Sequence, residues 1–210
     1  MESEIVIKEH LHNALNTFSQ GEYLDDMLEA KKVYFEVTGI ANEEDDDYES
    51  RMNSFNDWYV LQFQSSRSAR TVIKEYIMQN EVEDAVKDSL LNFSFSYYEF
   101  AGRNLRKHIV LKDILHDKKI ILPKNHYELG MVKNDTFVGR LITHQDESFL
   151  LDGVCVMPKE VSSLLKKEAK KVRKMDKLEE EIHFLMQLEY LKNKWQRYLH
   201  IDPLKIFVFD

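Results

Sequence analysis

Ile7, Leu11, Ala14, Leu15 and Phe18 recur at the spacing that gathers side chains on one face of a helix, and the stripe stops at Gly21, a residue suited to a helix C-terminus. Leu24, Met27, Leu28, Tyr34 and Phe35 form a second stripe that ends near Thr38 and Gly39. A third carries Tyr48, Met52, Phe55, Tyr59 and Phe63, and the acid run Glu43-Glu44-Asp45-Asp46-Asp47 precedes it. Carboxylates ahead of a helix favour its positive N-terminal end. Five consecutive acids with neither EF-hand spacing nor a glycine turn define no coordination geometry, so this reading is preferred over a divalent-metal site. Ser66 predicts the cap of a fourth helix bearing Ala69, Val72, Ile73, Tyr76 and Ile77. Asn80 and Glu83, three apart like a capping box, predict a fifth through Val82, Ala85, Val86 and Leu90.

From Phe93 the period changes to two. Phe93, Phe95 and Tyr97 alternate with Ser94, Ser96 and Tyr98, the pattern of a strand with one buried face. Short apolar runs follow at 108–111, 119–122, 136–142 and 149–156, separated by turn residues such as His116-Asp117, Asn134-Asp135 and Gln145-Asp146. That spacing predicts a small antiparallel barrel or a strongly bent sheet. Gly139 and Gly153 fall inside predicted strands, where a missing side chain marks a bulge or bend. After Pro158, a stripe from Val161 to Leu199 keeps an approximate helical period for almost forty residues, about 60 Å if continuous at 1.5 Å per residue. A break around Lys174–Lys177 fits the pattern equally well, and Ile206-Phe207-Val208-Phe209 predicts a final strand or a hydrophobic clasp. The expected fold is α+β, with a helical region over 1–92, a barrel-like module over 93–158, and a long helix and tail over 159–210 packing on both.

Composition narrows the classes. At 210 residues, 43% hydrophobic and 31% charged, the chain is an ordinary globular sequence able to bury a core. One cysteine excludes a disulfide framework and a Cys-rich zinc site. No apolar run approaches the roughly 18 residues that span a bilayer, and Met-Glu-Ser-Glu lacks the basic start of a signal peptide, so a reduced, cytoplasmic protein without membrane contact is expected. The net charge of −8 hides a segregation: residues 1–62 carry 15 acidic and 4 basic residues, whereas 103–144 and 159–177 are each +5. The basic stretches either fold against the acidic end, which needs no partner and is preferred, or steer a polyanion.

Ser54-Phe55-Asn56-Asp57-Trp58-Tyr59, Leu111-Lys112-Asp113-Ile114-Leu115 and Asp135-Thr136-Phe137-Val138-Gly139-Arg140-Leu141 carry a resemblance. Over about residues 50–158 the chain resembles a group of uncharacterised bacterial proteins with a Phe-x-x-Trp helix followed by a barrel-like module. The resemblance implies the architecture and no activity. Some members of that group carry a Cys-rich zinc-binding tail; this chain has none, so no metal function carries over.

Candidate chemistry is sparse. His10 and His12 are two apart and diverge on a helix, while His108, His116, His126 and His144 would need to converge to hold a metal. Cys155, between Val154 and Val156, reads as a small buried hydrophobe. No G-x-S-x-G, Walker, G-x-G-x-x-G or H-E-x-x-H string occurs. Asp113 and Asp135 read as turn formers, Asp57 as an acid within the resembled motif, and Arg140, mid-strand between apolar neighbours, as a guanidinium that either pairs with an acid, the preferred reading, or faces outward as a ligand contact. Arg103, Arg106, Lys107, Lys112, Lys119, Lys170, Arg173 and Lys174 are the candidate polyanion-binding residues, with Tyr98 and Tyr127 as stacking platforms. Trp58 and Trp195 read as core anchors tying the helical region to the C-terminal helix. The resulting expectation is a non-enzymatic binding or scaffolding protein with a protein partner, no cofactor and no metal. Nucleic-acid binding is the alternative, and an enzyme of unrecognised type comes third.

Overall fold

The structure, a computed structural model, describes residues 2–124 and 130–209. Helices α1 (Glu2–Phe18), α2 (Leu24–Thr38), α3 (Tyr48–Leu61), α4 (Val72–Gln79) and α5 (Asp84–Leu91) precede strands β1 (Ser94–Arg103), β2 (Ile109–Asp113), β3 (Lys118–Leu122), β4 (Thr136–His144), β5 (Glu147–Leu150) and β6 (Cys155–Val156). Helices α6 (Ser162–Met175) and α7 (Leu178–Gln196) complete the α+β order. The strands form a curled antiparallel sheet ordered β3-β2-β1-β4-β5, with β6 on β4.

Several local expectations change. Helix α4 begins after Thr71, and Ala69 is left-handed at φ 56°, so Ser66 lies in a loop and its hydroxyl reaches Glu29 instead of capping the helix. Glu83 is the cap residue of α5 without a side-chain bond, and Asn80 donates back to the Tyr76 carbonyl, so the two form no capping box. In β1 both Tyr97 and Tyr98 are buried, because each face of the strand is covered at its centre. The run 149–156 is two strands interrupted at 151–154, which places Gly153 in a connection. The C-terminal stripe breaks at Asp176, left-handed at φ 52°, between α6 and α7. The tail is a clasp in which Ile206 and Phe207 are buried and Phe209 lies 5.9 Å from Phe184, ring to ring.

The chain divides into two compact units built from interleaved segments. Unit 1 comprises residues 1–36, 41–94 and 140–153. Its core holds Ile7, Ala14, Phe18, Phe55, Tyr59, Ile73 and Leu90. Tyr34, Phe55 and Trp58 form an aromatic cluster, with Tyr34 5.6 Å from Phe55 and 5.2 Å from Trp58. The Tyr59 hydroxyl donates to the Phe18 carbonyl at the end of α1, satisfying a phenol that burial leaves without water. The second half of β4 pairs with β5 here, Leu141 opposite Leu150 and Thr143 opposite Ser148.

Unit 2 comprises residues 37–40, 95–139 and 154–210. Strands β1, β2 and β3 pair in register, Glu99 opposite Lys112 and Lys112 opposite Lys119. Tyr97, Val138, Met157, Leu165, Ala169, Leu185, Leu188 and Phe207 are packed in its core. Asn193 of α7 donates to the carbonyls of Thr38 and Ile40, and Arg197, just past the end of α7, donates to Ile40; the Thr38 carbonyl is one that a helix end leaves without an intrahelical partner. Gly39, at φ 84°, fits this approach because a Cβ there would stand 2.1 Å from the Asn193 amide nitrogen.

Candidate functional site

Unit 1 contains a cleft of about 690 Å³ between α1, α3 and the turn after β5. Ile5, Leu11, Leu15, Val60 and Leu151 give it apolar walls, and Lys8, Glu9, His12, Asn53, Asn56, Asp57 and Asp152 bring polar groups to the same space. Its volume lies within the roughly 300–1,000 Å³ typical of small-molecule sites.

Asp57 is the singular group. It sits off the apolar stripe of α3, and what encloses its carboxyl comes from far along the chain. The Gly153 amide donates to Asp57 Oδ2 at 3.0 Å. A Cβ on Gly153 would lie 2.5 Å from that oxygen and 2.6 Å from the Ser54 Cα, so only glycine lets the turn settle on α3. Burial pushes the carboxyl up to about 7, against the opposing pull of the Arg140 guanidinium and the Gly153 amide; nearby Asp152 adds to the rise and Lys8 opposes it. Removing water from around an anion raises its energy more than these partners recover.

Arg140 is fully buried, and its Nε donates to the Gln62 side-chain oxygen at 2.7 Å, just past the end of α3. It therefore sits behind Asp57 as a fixed positive charge outside the cleft lining. At the mouth, Lys8 Nζ lies 3.2 Å from Asp152 Oδ1 and 3.3 Å from Glu4 Oε1. Partial burial pulls the Lys8 ammonium down, yet Asp152 and Glu4 outweigh that and hold it above the usual lysine range. The result is a fixed ion-pair cluster beside a carboxyl that exchanges its proton near neutrality, the range in which a side chain serves as an acid or base.

The family is now decided by a match over residues 8–190. The chain belongs to DUF7986, a family of unknown function. No curated protein and no solved structure matches it. Because the DUF7986 match begins at Lys8 and ends at Tyr190, it includes Asp57, Arg140 and Asp152.

In this DUF7986 chain the basic residues expected to meet a polyanion lie in unit 2. Arg103 ends β1, Arg106 and Lys107 occupy the connection to β2, Lys112 and Lys119 face each other across β2 and β3, and Lys170, Arg173 and Lys174 lie on α6. Two ion pairs join α6 to the sheet region: Lys166 with Glu99 of β1, and Arg173 with Asp117 in the β2–β3 turn at 3.5 Å. In unit 1, Asp26 accepts from Ser65 and pairs with Arg67, and Glu29 accepts from Ser66. Tyr98 is fully buried, its ring 5.5 Å from Phe137, so it offers no face to a base. Tyr127 and His126 lie outside the described residues.

The remaining candidates take structural positions. Asp113 accepts from Ser96 Oγ at 2.6 Å and from the His116 backbone at 3.0 Å, closing the turn after β2. The His116 ring lies between Asp113, at 2.9 Å, and Glu181, at 3.2 Å. Asp135 accepts from the Val132 amide at 2.8 Å. Cys155 is half-buried against the core of unit 2. His144 Nδ1 meets Ser89 at 2.9 Å, and His10 Nδ1 meets Tyr76 at 3.0 Å while His12 lines the cleft. Among the described residues no three His, Cys, Asp or Glu side chains gather to hold a metal. Trp58 packs in the aromatic cluster of unit 1 and Trp195 against the core of unit 2.

Proposed function

We propose that this protein binds a small organic ligand in the cleft of unit 1, with Asp57 as its polar anchor. The observation that carries the reading is an enclosed carboxyl, titrating near neutrality, in the lining of a cleft of about 690 Å³. Apolar side chains supply area for affinity, and the amides of Asn53 and Asn56, which also line the cleft, supply hydrogen bonds that orient a ligand. A fragment library followed by NMR tests it. Bound fragments are expected to move the side-chain amide signals of Asn53 and Asn56 before any others; a library that leaves those signals in place overturns the reading.

A second reading, polyanion binding, is supported by the charge of unit 2. That unit carries 20 basic and 14 acidic residues, a balance of +6, whereas unit 1 carries 9 basic and 23 acidic, a balance of −14. Binding to a single-stranded oligonucleotide is expected to weaken linearly on logarithmic axes as salt rises, because phosphate contacts release counterions. Affinity independent of salt removes this reading.

A further inference from the structure

Resting on the cleft as a ligand site, we propose that its ligand is an organic amine: a protonated nitrogen set against the Asp57 carboxylate, with an aliphatic body along Ile5, Leu11 and Val60. The sign of the nitrogen follows from the charges around it. Helix α1 brings Glu4, Lys8, Glu9 and His12 to the cleft and its mouth, α3 brings Asp57, β4 brings Arg140 from behind, and the turn after β5 brings Asp152. Lys8 is committed to Asp152 and Glu4, so its positive charge is compensated at the mouth. Arg140 is sealed from solvent and does not line the cleft, so a ligand meets the carboxyl and not the guanidinium. With Asp57 ionised, these neighbours hold four carboxylates against two fixed cations, Lys8 and Arg140. A carboxylate or phosphate ligand would add a negative charge to that excess, and a neutral alcohol would leave it uncompensated. An ammonium supplies the missing positive charge and N–H donors to the half-buried Asp57 carboxylate in the cleft lining.

The pH dependence follows from the exchange of Asp57's proton. The carboxyl titrates near 7, so at pH 5 about one molecule in a hundred holds the anion, and at pH 8 nearly all do. Amine affinity is therefore expected to rise roughly a hundredfold from pH 5 to pH 8.

The experiment compares hexylamine, hexan-1-ol and hexanoate, with a neutral fragment library as a fourth arm. Binding is read from the Asn53 and Asn56 amide signals at both pH values in the wild type and in Asp57→Asn, with His12→Asn as a control for the imidazole that also lines the cleft. Support is hexylamine binding at least tenfold tighter than the alcohol at pH 8, with a pH dependence that Asp57→Asn removes and His12→Asn keeps. Library fragments that enter the cleft while hexylamine binds no better than hexanol or hexanoate overturn the amine and leave the cleft reading standing. Silence of every probe, library included, overturns both. Asp57→Asn keeps an acceptor for the Gly153 amide, so the variant retains the local hydrogen bond that shapes the turn.

Discussion

Unit 1 encloses its most consequential charges and unit 2 displays them. Asp57 lines a cleft half-buried and Arg140 lies fully buried near it, so a proton's whereabouts changes the energy of the fold. Lys112, Lys119, Lys170 and Lys174 stand on strands and a helix face open to water. Screening by water and salt makes each such surface charge nearly independent of its neighbours, whereas one carboxyl in a low-dielectric pocket feels every group around it. The comparison teaches that charge counts predict where an ion is attracted, while burial predicts where a proton is exchanged.

The strongest way to sharpen the contrast is pH. The carboxyl of Asp57 titrates near 7 in the folded chain and near 3.8 when unfolded, so between these values the fold holds a proton that the unfolded chain has released. Its stabilising contribution is complete below about pH 4, declines as pH rises and is exhausted above about 7, a loss on the order of 4 kcal/mol at about 1.4 kcal/mol per unit. Denaturant unfolding of wild type and Asp57→Asn across pH 4–8 checks this; parallel curves for the two proteins contradict it. Next, Arg140→Met is expected to cost about 3–5 kcal/mol at pH 8, because it leaves an enclosed carboxylate with less compensation. At pH 5 the cost is smaller, since Asp57 takes the proton; an equal loss at both values would separate Arg140 from Asp57. Gly153→Ala is expected to cost about 1–3 kcal/mol through the clash with Ser54 and Asp57, and to weaken any cleft ligand together with stability. The smallest effect belongs to unit 2: Lys112→Glu, Lys119→Glu, Lys170→Glu and Lys174→Glu are each expected to move stability by no more than about 0.5 kcal/mol. Together they should reduce the slope of oligonucleotide binding with salt, and an unchanged slope would remove these residues from that surface.

How legible these regions were follows the same division. The stripes of α1, α2 and α3 and the turn residues around the strands are local signals, because helix and strand periods repeat within a few residues. The boundaries at Ser66 and Asn80 misled because capping residues also serve loops and helix ends, and the tertiary setting decides which. Arg140 was readable as a guanidinium needing compensation, since its apolar neighbours predict burial. Asp57 was visible as an acid within a motif and nothing more. Its desolvation depends on Gly153, ninety-six positions away, and no periodicity within α3 carries that information. Glycine at a predicted strand interior was the one available hint, and it spoke of a bend without saying what the bend approaches.

The interleaving of unit 1 has a consequence for synthesis. Helices α1 and α3 leave the ribosome long before Leu151, Asp152 and Gly153, so a nascent chain has the cleft's walls without the turn that encloses its anchor. Until that turn is made, Asp57 stands in water as an ordinary ionised acid. If the proposed cleft is the ligand site, its competence waits for the last segment of the first unit, delivered after most of the strands of the second.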